Sequence, residues 1–350
     1  MQAASYQPLD DALEFLSGYG SGLANGNFNH APMVAEALCA LGRPEAVMPW
    51  LEHYRERLLP LPAIDAPIRG ADWRDALGRR GSYAAWRAFF ADELRDAAWQ
   101  EVLAVWIGRL APGIAAAATH GAIRVGHAVR ALGVGDTSAR RGELAGALAS
   151  WAASYRELPS AGAVGAGGLS PREAIARLPV MPPAQRGTGN ITAALARLGE
   201  LPEFAAVVSR ADLAAAPDAL LAELTELFAL VYLANVGDRL GAIVFIHGVT
   251  SLTALGHVAP YLDPATVVLA LRHAWQTACG LYACYGNGGG TAVDVAPPEA
   301  DDAALIERVL ANGDEHVIKF AEACLYRDSL APSPVYRAAI GNALTMLPPR

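Results

Sequence analysis

The sequence predicts an all-α protein, a multi-helix single domain with two helical halves around a shared core. Three observations support this fold class. Apolar residues recur at helical spacing along most of the chain, no alternating strand pattern of useful length occurs, and glycine and proline separate the periodic stretches. With 53% hydrophobic and 18% charged residues, the 350-residue chain can bury a large core. The whole chain, 1–350, is therefore expected to form one helical domain.

The predicted helices follow one another along the chain. The first covers 8–17 and stops at Gly18. Asn29 is a plausible cap for the second, Pro32 suits its first turn, and it ends at Gly42. The other helices are predicted at 44–58, 83–96, 97–132 with a kink at Pro112, 142–157, 191–199, 217–235, 238–257, 264–284, 301–325 and 333–345.

Three segments are predicted to be irregular. Residues 18–22 contain three glycines but are interpreted as a turn, because a helix precedes them and Leu23 stands where a dinucleotide loop needs glycine. Residues 60–82 form a loop that carries Trp73. Residues 158–190 are rich in proline and glycine and are expected to form a lid or a linker, with one short helix at 171–178. No flavin or NAD(P) motif, and no phosphate loop, is found.

Charge, cysteine content and hydropathy limit the kinds of partner and the location that we expect for this protein. A net charge of -8 and the lack of a basic stripe argue against nucleic acid. Four scattered cysteines and no signal pattern at the start predict a reducing, cytoplasmic location. Residues 240–262 carry no charge and are long enough to cross a bilayer, but their polar residues suit a buried helix beside a site, so no membrane partner is expected. An exposed apolar helix face would permit a homodimer.

Histidines at apolar positions are the first candidates for a site. His120 and His127 are seven residues apart, which places both rings on one side of a helix with an axial offset of roughly 10 Å. The alternative is a pair of core histidines bonded to carbonyl groups. Three more histidines lie at apolar or helix-start positions: His30, His247 and His316. Imidazole is the commonest protein ligand for iron, zinc and copper. The remaining three, His53, His257 and His273, are interpreted as structural or exposed.

Lys319 is the single lysine among 27 Lys and Arg residues. Codon bias in a GC-rich genome explains the preference for arginine, so a retained lysine suggests a role that arginine cannot fill. A buried lysine can lose its proton and react with carbon dioxide to give a carbamate, a long carboxylate that can bind a metal. The alternative is a solvated helix face, on which nearby Asp314, Glu315 and Glu322 pair with the amine.

Several segments, in order along the chain, resemble the questin oxidase-like family. They are Asn-His-Ala-Pro-Met at 29–33, Thr-His-Gly-Ala-Ile-Arg at 119–124, His-Ala-Val-Arg at 127–130, Glu-Leu-Ala-Gly-Ala-Leu-Ala-Ser-Trp-Ala-Ala-Ser-Tyr at 143–155, His-Gly-Val-Thr at 247–250 and Glu-His-Val-Ile-Lys at 315–319. Fungal members oxidise or cleave the rings of polyketide anthraquinones. The resemblance implies a non-haem iron site made of His30, His120, His127, His247 and a carboxylated Lys319, with His316 as the fourth histidine or as a partner of the ligands.

The leading interpretation is an iron-dependent oxygenase that uses dioxygen to oxidise an aromatic, phenolic or quinone-like small molecule. Four imidazoles and one carbamate would leave one position open on the metal. Arg124 is a candidate for positioning an anionic substrate oxygen, and a salt bridge is its alternative role. Trp151 and Tyr155 either line an aromatic pocket or belong to the core. Two other functions stay open: a zinc-dependent hydrolase and a non-catalytic helical binding protein.

Overall fold

The computed structural model describes residues 6–79, 81–160, 167–186, 190–295 and 301–349. Within these ranges the chain forms seventeen α-helices and one two-stranded antiparallel sheet, so the predicted all-α class is confirmed. One apolar core runs through the protein and includes buried residues from nearly every helix.

The helices are numbered in chain order. They are α1 (Gln7–Leu16), α2 (Ala31–Ala40), α3 (Val47–Tyr54), α4 (Trp73–Ala76), α5 (Tyr83–Asp96), α6 (Trp99–Leu110), α7 (His120–Val134), α8 (Ser138–Ala153), α9 (Pro171–Arg177), α10 (Ile191–Ala196), α11 (Pro202–Ser209), α12 (Pro217–Asn235), α13 (Arg239–Val258), α14 (Pro264–Tyr285), α15 (Asp302–Asn312), α16 (Glu315–Leu330) and α17 (Pro334–Met346). The strands are β1 (Tyr19–Leu23) and β2 (Leu58–Pro60).

The predicted turn at 18–22 is wrong, because most of it belongs to β1, which pairs with β2. Strands this short, and this rich in glycine, carry no readable alternation. The predicted helix at 44–58 ends at Tyr54, since the chain continues into a 3₁₀ turn and then β2.

Two predicted long helices are each divided in two. The 97–132 prediction placed a kink at Pro112, but α6 ends at Leu110 and α7 begins at His120, with a 3₁₀ turn and irregular backbone between them. The 301–325 prediction is interrupted at Gly313, whose φ of 70° ends α15 in the left-handed region and lets α16 start in a new direction. Helices α4 and α11 were not predicted, and α4 lies within residues 60–82, which were predicted to form a loop.

Four helices form a closed ring at the centre of the molecule. Helix α2 packs against α7, α7 against α13, α13 against α16, and α16 back against α2. Close approach between α7 and α13 depends on Gly126, where an added Cβ would lie 2.5 Å from the Cβ of Ala254. The other helices cover this ring from outside, with α8 on α7, α12 and α14 on α13, and α17 on α16. The inner faces of the ring are where the polar residues described below converge.

Helix α13 is the longest helix of the ring, and it is strongly apolar. Arg239–Tyr261 is the one helix in the described chain that is long and apolar enough to cross a membrane, with a mean hydropathy of 1.6 over its most apolar window. In the fold, 78% of its most apolar window is buried inside the protein. That burial is typical of the central helix of a helical bundle.

The segment predicted as a lid or linker lies partly outside the described residues, at 161–166 and 187–189. Its described parts are bonded to α14 and its surroundings. The Met181 N–H donates to the Ala283 carbonyl at 2.7 Å, and Gln276 donates to the Pro159 carbonyl at 2.8 Å. The described part of this segment is therefore attached along α14.

Candidate metal centre

Four buried histidines meet inside the ring, one from each of its helices. His30 precedes the first residue of α2, His120 begins α7, His247 lies in the middle of α13, and His316 is the second residue of α16. The ring centroid of His30 lies 4.6 Å from that of His120 and 4.8 Å from that of His316. The centroid of His247 lies 4.7 Å from that of His120 and 6.2 Å from that of His316. We call these four residues the histidine cluster.

Hydrogen bonds fix the proton on three of the four rings. Nδ1 of His120 lies 2.6 Å from the Ala117 carbonyl oxygen, and Nδ1 of His247 lies 2.6 Å from that of Ile243. A carbonyl oxygen only accepts, so each Nδ1 must carry the hydrogen. Nδ1 of His316 lies 3.0 Å from Asp314 Oδ1, which orients that ring in the same way. A neutral ring with a proton on Nδ1 has a lone pair on Nε2.

The Nε2 atoms of the cluster, which carry the lone pairs, point toward one another. Nε2 of His120 and Nε2 of His247 lie 3.4 Å apart, although neither carries a proton when its Nδ1–H is bonded to a carbonyl. Nε2 of His30 lies 2.9 Å from Nε2 of His120. If His30 donates there, its Nδ1 is left as a buried acceptor, and it has no partner among the described residues. Facing lone pairs in a buried site are electrostatically unfavourable, and a bound cation would remove the conflict.

Burial keeps His30, His120 and His247 neutral. It lowers the pKa of His30 and His120 well below the ordinary value of histidine, and it lowers the pKa of His247 to about 3. The neighbouring imidazoles and the Lys319 amine lower all three further, because each positive charge would oppose the next. Neutral imidazoles are the form that binds a metal ion.

The chain enters α7 through a turn in the left-handed region. Ala117, Ala118 and Thr119 have φ values of 47°, 55° and 70°, which cost non-glycine residues about 1–2 kcal/mol each. This turn aims the Ala117 carbonyl at the His120 ring. Backbone strain of this kind persists where the surrounding structure fixes it, and it is common at functional sites. The strain therefore lies directly beside the residue it orients.

Lys319 and Glu315 stand one turn apart on α16 and complete the surroundings of the cluster. The Lys319 side chain is buried, and burial lowers the pKa of its amine to about 8, while Glu315 and Asp314 partly offset that effect. Ligand atoms of Glu315, His30 and His316 all lie within 4.8 Å of one another. Glu315 also accepts from Arg57 at 3.0 Å. From the sequence, Glu315 was named only as a possible ion-pair partner of Lys319 and not as a candidate ligand, although it is adjacent to His316 in the chain.

His127 lies in a separate polar layer farther along the same four helices. Its Nδ1 lies 2.6 Å from Glu36 on α2. Arg130 donates to Glu36 at 2.8 Å, ion-pairs with Glu322 on α16, and lies 3.2 Å from Nε2 of His257 on α13. Burial alone would raise the pKa of Glu36, but Arg130 and His127 hold it well below its usual range. Arg130 therefore supplies the positive charge that balances the two buried carboxylates of this layer.

The remaining sequence candidates fall outside the cluster. Arg124 forms a buried pair with Glu143 at 2.6 Å and donates to Ser150 at 3.1 Å, which corresponds to its alternative role as a salt bridge. Trp151 is part of the buried core, and Tyr155 packs against it. The structure thus brings four of the five predicted metal-binding positions together with His316, which was predicted as the alternative fourth histidine, but it does not bring His127 or Arg124 to them. A lone charge in the apolar α2, Glu36, was the available signal for the second layer.

The fold and the cluster define a class: a helical protein with a buried, neutral, multi-histidine site. The model of the questin oxidase-like family matches residues 28–324, and the chain belongs to that family. The match contains every residue of the histidine cluster together with Lys319. No curated protein matches the chain. Family membership suggests an oxidoreductase of the oxidase or oxygenase type.

Proposed function

We propose that this protein is a non-haem iron oxygenase that oxidises an aromatic, phenolic or quinone-like small molecule with dioxygen. The metal ligands in this proposal are His30, His120, His247, His316 and Lys319 as its carbamate. His316 takes the place that the sequence reasoning gave to His127, because its ring lies in the cluster and that of His127 lies against Glu36.

One observation carries the proposal: the Nε2 atoms of His120 and His247 face each other at 3.4 Å while both Nδ1 atoms are bonded to carbonyls. Without a cation, two buried lone pairs are opposed and Nδ1 of His30 has no partner among the described residues. A metal ion accepts such lone pairs directly. The carbonyl and carboxylate groups behind the rings then act as the outer partners that orient metal-bound histidines.

The amine of Lys319 is suited to carbamate formation. With a pKa of about 8, about a quarter of the amine is neutral near pH 7.5, compared with about one part in a thousand at an ordinary lysine pKa. The neutral nitrogen attacks the carbon of carbon dioxide, a C–N bond forms, and one proton is released to solvent. The product replaces a buried cation by an anion, and that anion balances the charge of a divalent metal.

When bound, iron(II) would bind and reduce dioxygen beside the substrate. The residues of the protein orient the ligands and shield the site. The three Nδ1 hydrogen bonds hold the imidazoles in the required tautomer, the strained turn at Ala117–Thr119 positions His120, and the four-helix ring excludes bulk water. A phenolate substrate would supply the electrons that dioxygen takes up.

The first test is elemental analysis of the anaerobically purified protein. About one iron per chain, followed by oxygen consumption with a phenolic substrate, supports the oxygenase. One zinc per chain and no oxygen uptake would indicate the alternative, a hydrolase. If the protein holds no metal, and takes none up from iron(II) with bicarbonate, the cluster is a packing feature and the proposal fails.

The carbamate is tested by Lys319→Arg, since arginine keeps the positive charge and does not react with carbon dioxide. The variant is expected to lose iron and all iron-dependent oxygen uptake while keeping its helical circular dichroism. Lys319→Glu is the matched variant, because it restores a negative group without the carbamate, and it is expected to retain part of the iron. Full activity in Lys319→Arg would refute the role of the carbamate.

A further inference from the structure

A cavity of about 570 Å³ opens beside the histidine cluster, between α3 and the turn that joins α15 to α16. Its wall includes Trp50, Tyr54, Arg57 and Glu315. Most of the remaining wall is aliphatic, with Leu38 and Ile318 among its residues. Its volume is within the range of roughly 300–1,000 Å³ that is typical of small-molecule sites.

One wall of the cavity is a rigid stack of three side chains. The rings of Trp50 and Tyr54 are stacked, with centroids 4.6 Å apart and an interplanar angle of 24°. The Arg57 guanidinium carbon lies 4.4 Å from the Tyr54 centroid, on the ring face. The Trp50 indole N–H donates to the Gly313 carbonyl at 2.9 Å, which ties the stack to the α15–α16 turn. Such a wall presents flat apolar surface at little entropic cost to a planar ligand.

The cavity lies next to the histidine cluster, and two residues of its wall, Glu315 and Tyr54, contact or approach the cluster. Glu315 lines the cavity, and its ligand atom lies within 4.8 Å of those of His30 and His316. Tyr54 also lines the cavity, and its hydroxyl accepts from the backbone N–H of His30 at 2.9 Å. A molecule in the cavity would therefore be separated from the cluster by single side chains.

Arg57 places a guanidinium group at the end of the cavity that lies nearest the histidine cluster. Its guanidinium donates through two nitrogens to the two oxygens of Glu315, at 3.0 and 3.4 Å. A guanidinium has five N–H donors, so about three remain, and they have no other acceptor among the described residues. The Arg57 side chain is 29% exposed and lines the cavity. The fork of a guanidinium matches the two oxygens of a carboxylate.

We propose that this cavity binds the substrate, that the substrate is an aromatic acid, and that Arg57 recognises its carboxylate while the ring lies against the Trp50 and Tyr54 wall. This inference rests on the proposed function, because it assigns a substrate class to that same centre. Arg57 is a specificity-determining residue in this view, and it selects anionic over neutral aromatic compounds.

The test is calorimetric titration of the metal-free, full-length protein with two probes of the same shape, hydroxynaphthoate and its neutral amide. Wild type is expected to bind the carboxylate about 10-fold or more tightly than the amide. Arg57→Gln is expected to weaken carboxylate binding about 10-fold or more and to leave amide binding unchanged. Trp50→Leu should weaken both probes to the same degree, because both use the aromatic wall.

Arg43→Gln is the matched control. Arg43 also pairs with a carboxylate of α15, Glu307, at 2.8 Å, and its side chain is 27% exposed, but it does not line the cavity. Its loss should change neither affinity. Arg57→Lys keeps the positive charge but lacks the planar, two-pronged guanidinium, so it should bind the carboxylate with intermediate affinity. An intermediate value also shows that the loss in Arg57→Gln is not caused by unfolding.

Three results would overturn the inference: no binding of either probe to wild type, equal affinity for the two probes, or equal losses in Arg57→Gln and Arg43→Gln. The proposed function fails by different measurements, namely metal content and oxygen uptake. Selective binding by a protein that is purified without iron and takes none up would keep the cavity and reject the oxygenase. If the protein binds iron and consumes oxygen, but Arg57→Gln does not change its affinity for the carboxylate probe, the oxygenase stands and the assignment of this cavity fails.

Discussion

At the scale of single residues, the direction of each ring decides what a histidine can do. His120 and His127 share α7, but the first points its Nε2 at His30 and His247, whereas the second bonds to Glu36. The axial offset of roughly 10 Å that follows from their spacing is therefore not closed by side-chain leaning. Two polar layers result, one of neutral imidazoles and one balanced by Arg130.

This difference predicts which histidine would bind the proposed metal ion. His316→Gln is expected to reduce bound iron to a small fraction of one per chain, since it removes a proposed ligand. His127→Gln is expected to leave the iron content of the purified protein unchanged, because the ring contacts Glu36 outside the cluster. Chelator competition measures both affinities. The reverse result, with iron lost only in His127→Gln, would restore the ligand set predicted from sequence.

At the scale of elements, the ring of α2, α7, α13 and α16 depends on how closely its helices approach. Gly126 on α7 faces Ala254 on α13 so closely that an added Cβ would lie 2.6 Å from the Ala254 Cα. Gly121, one and a half turns earlier, lies against Trp151 of α8 in the same way. Glycine in a helix costs stability in isolation, so these positions indicate a packing requirement.

Gly126→Ala is therefore expected to destabilise the protein, by about 1–3 kcal/mol, because α7 and α13 must move apart. Gly142→Ala on α8 is the control. No atom lies within 4 Å of a Cβ built on Gly142, so alanine there should stabilise the helix by roughly 0.5–1 kcal/mol. Urea denaturation of the two metal-free variants measures both effects. Equal stabilities would mean that the contact at Gly126 is relieved without cost.

At the scale of the whole molecule, burying neutral histidines links folding to pH. The pKa values of His30, His120 and His257 are lowered well below that of an exposed histidine, mainly by burial, and the pKa of His247 is lowered to about 3. As pH falls below about 6.5, the unfolded chain takes up these protons and the folded chain does not. Stability is thus present above that pH and is lost progressively below it.

The metal-free protein should lose about 1.4 kcal/mol of unfolding free energy per pH unit for each such histidine, between pH 6.5 and the lowered pKa values. His247→Gln should reduce the slope by one proton, whereas replacing His53, which is exposed, should leave it unchanged. Urea midpoints from pH 8 to pH 5 provide the measurement. Parallel curves for wild type and His247→Gln would contradict the neutral, buried state of that ring.

The sequence by itself determined the helical class, most helix positions, and the residue types from which the histidine cluster is built. Local spacing specifies a helix and its apolar face, and unusual residues stand out: histidines in apolar runs and one lysine among the arginines. The two long helices predicted around Pro112 and Gly313 were divided only in the structure, because a left-handed backbone is not visible in apolar periodicity.

The tertiary structure decided which of those residues meet. His30, His120, His247 and His316 are far apart in the chain, and only the closure of four helices into a ring brings their rings within contact. The same packing separates His127, pairs Arg124 with Glu143, and adds Glu315. Spacing along one helix fixes side-chain direction within that helix, but the rotation of one helix against another depends on the packing of all its neighbours.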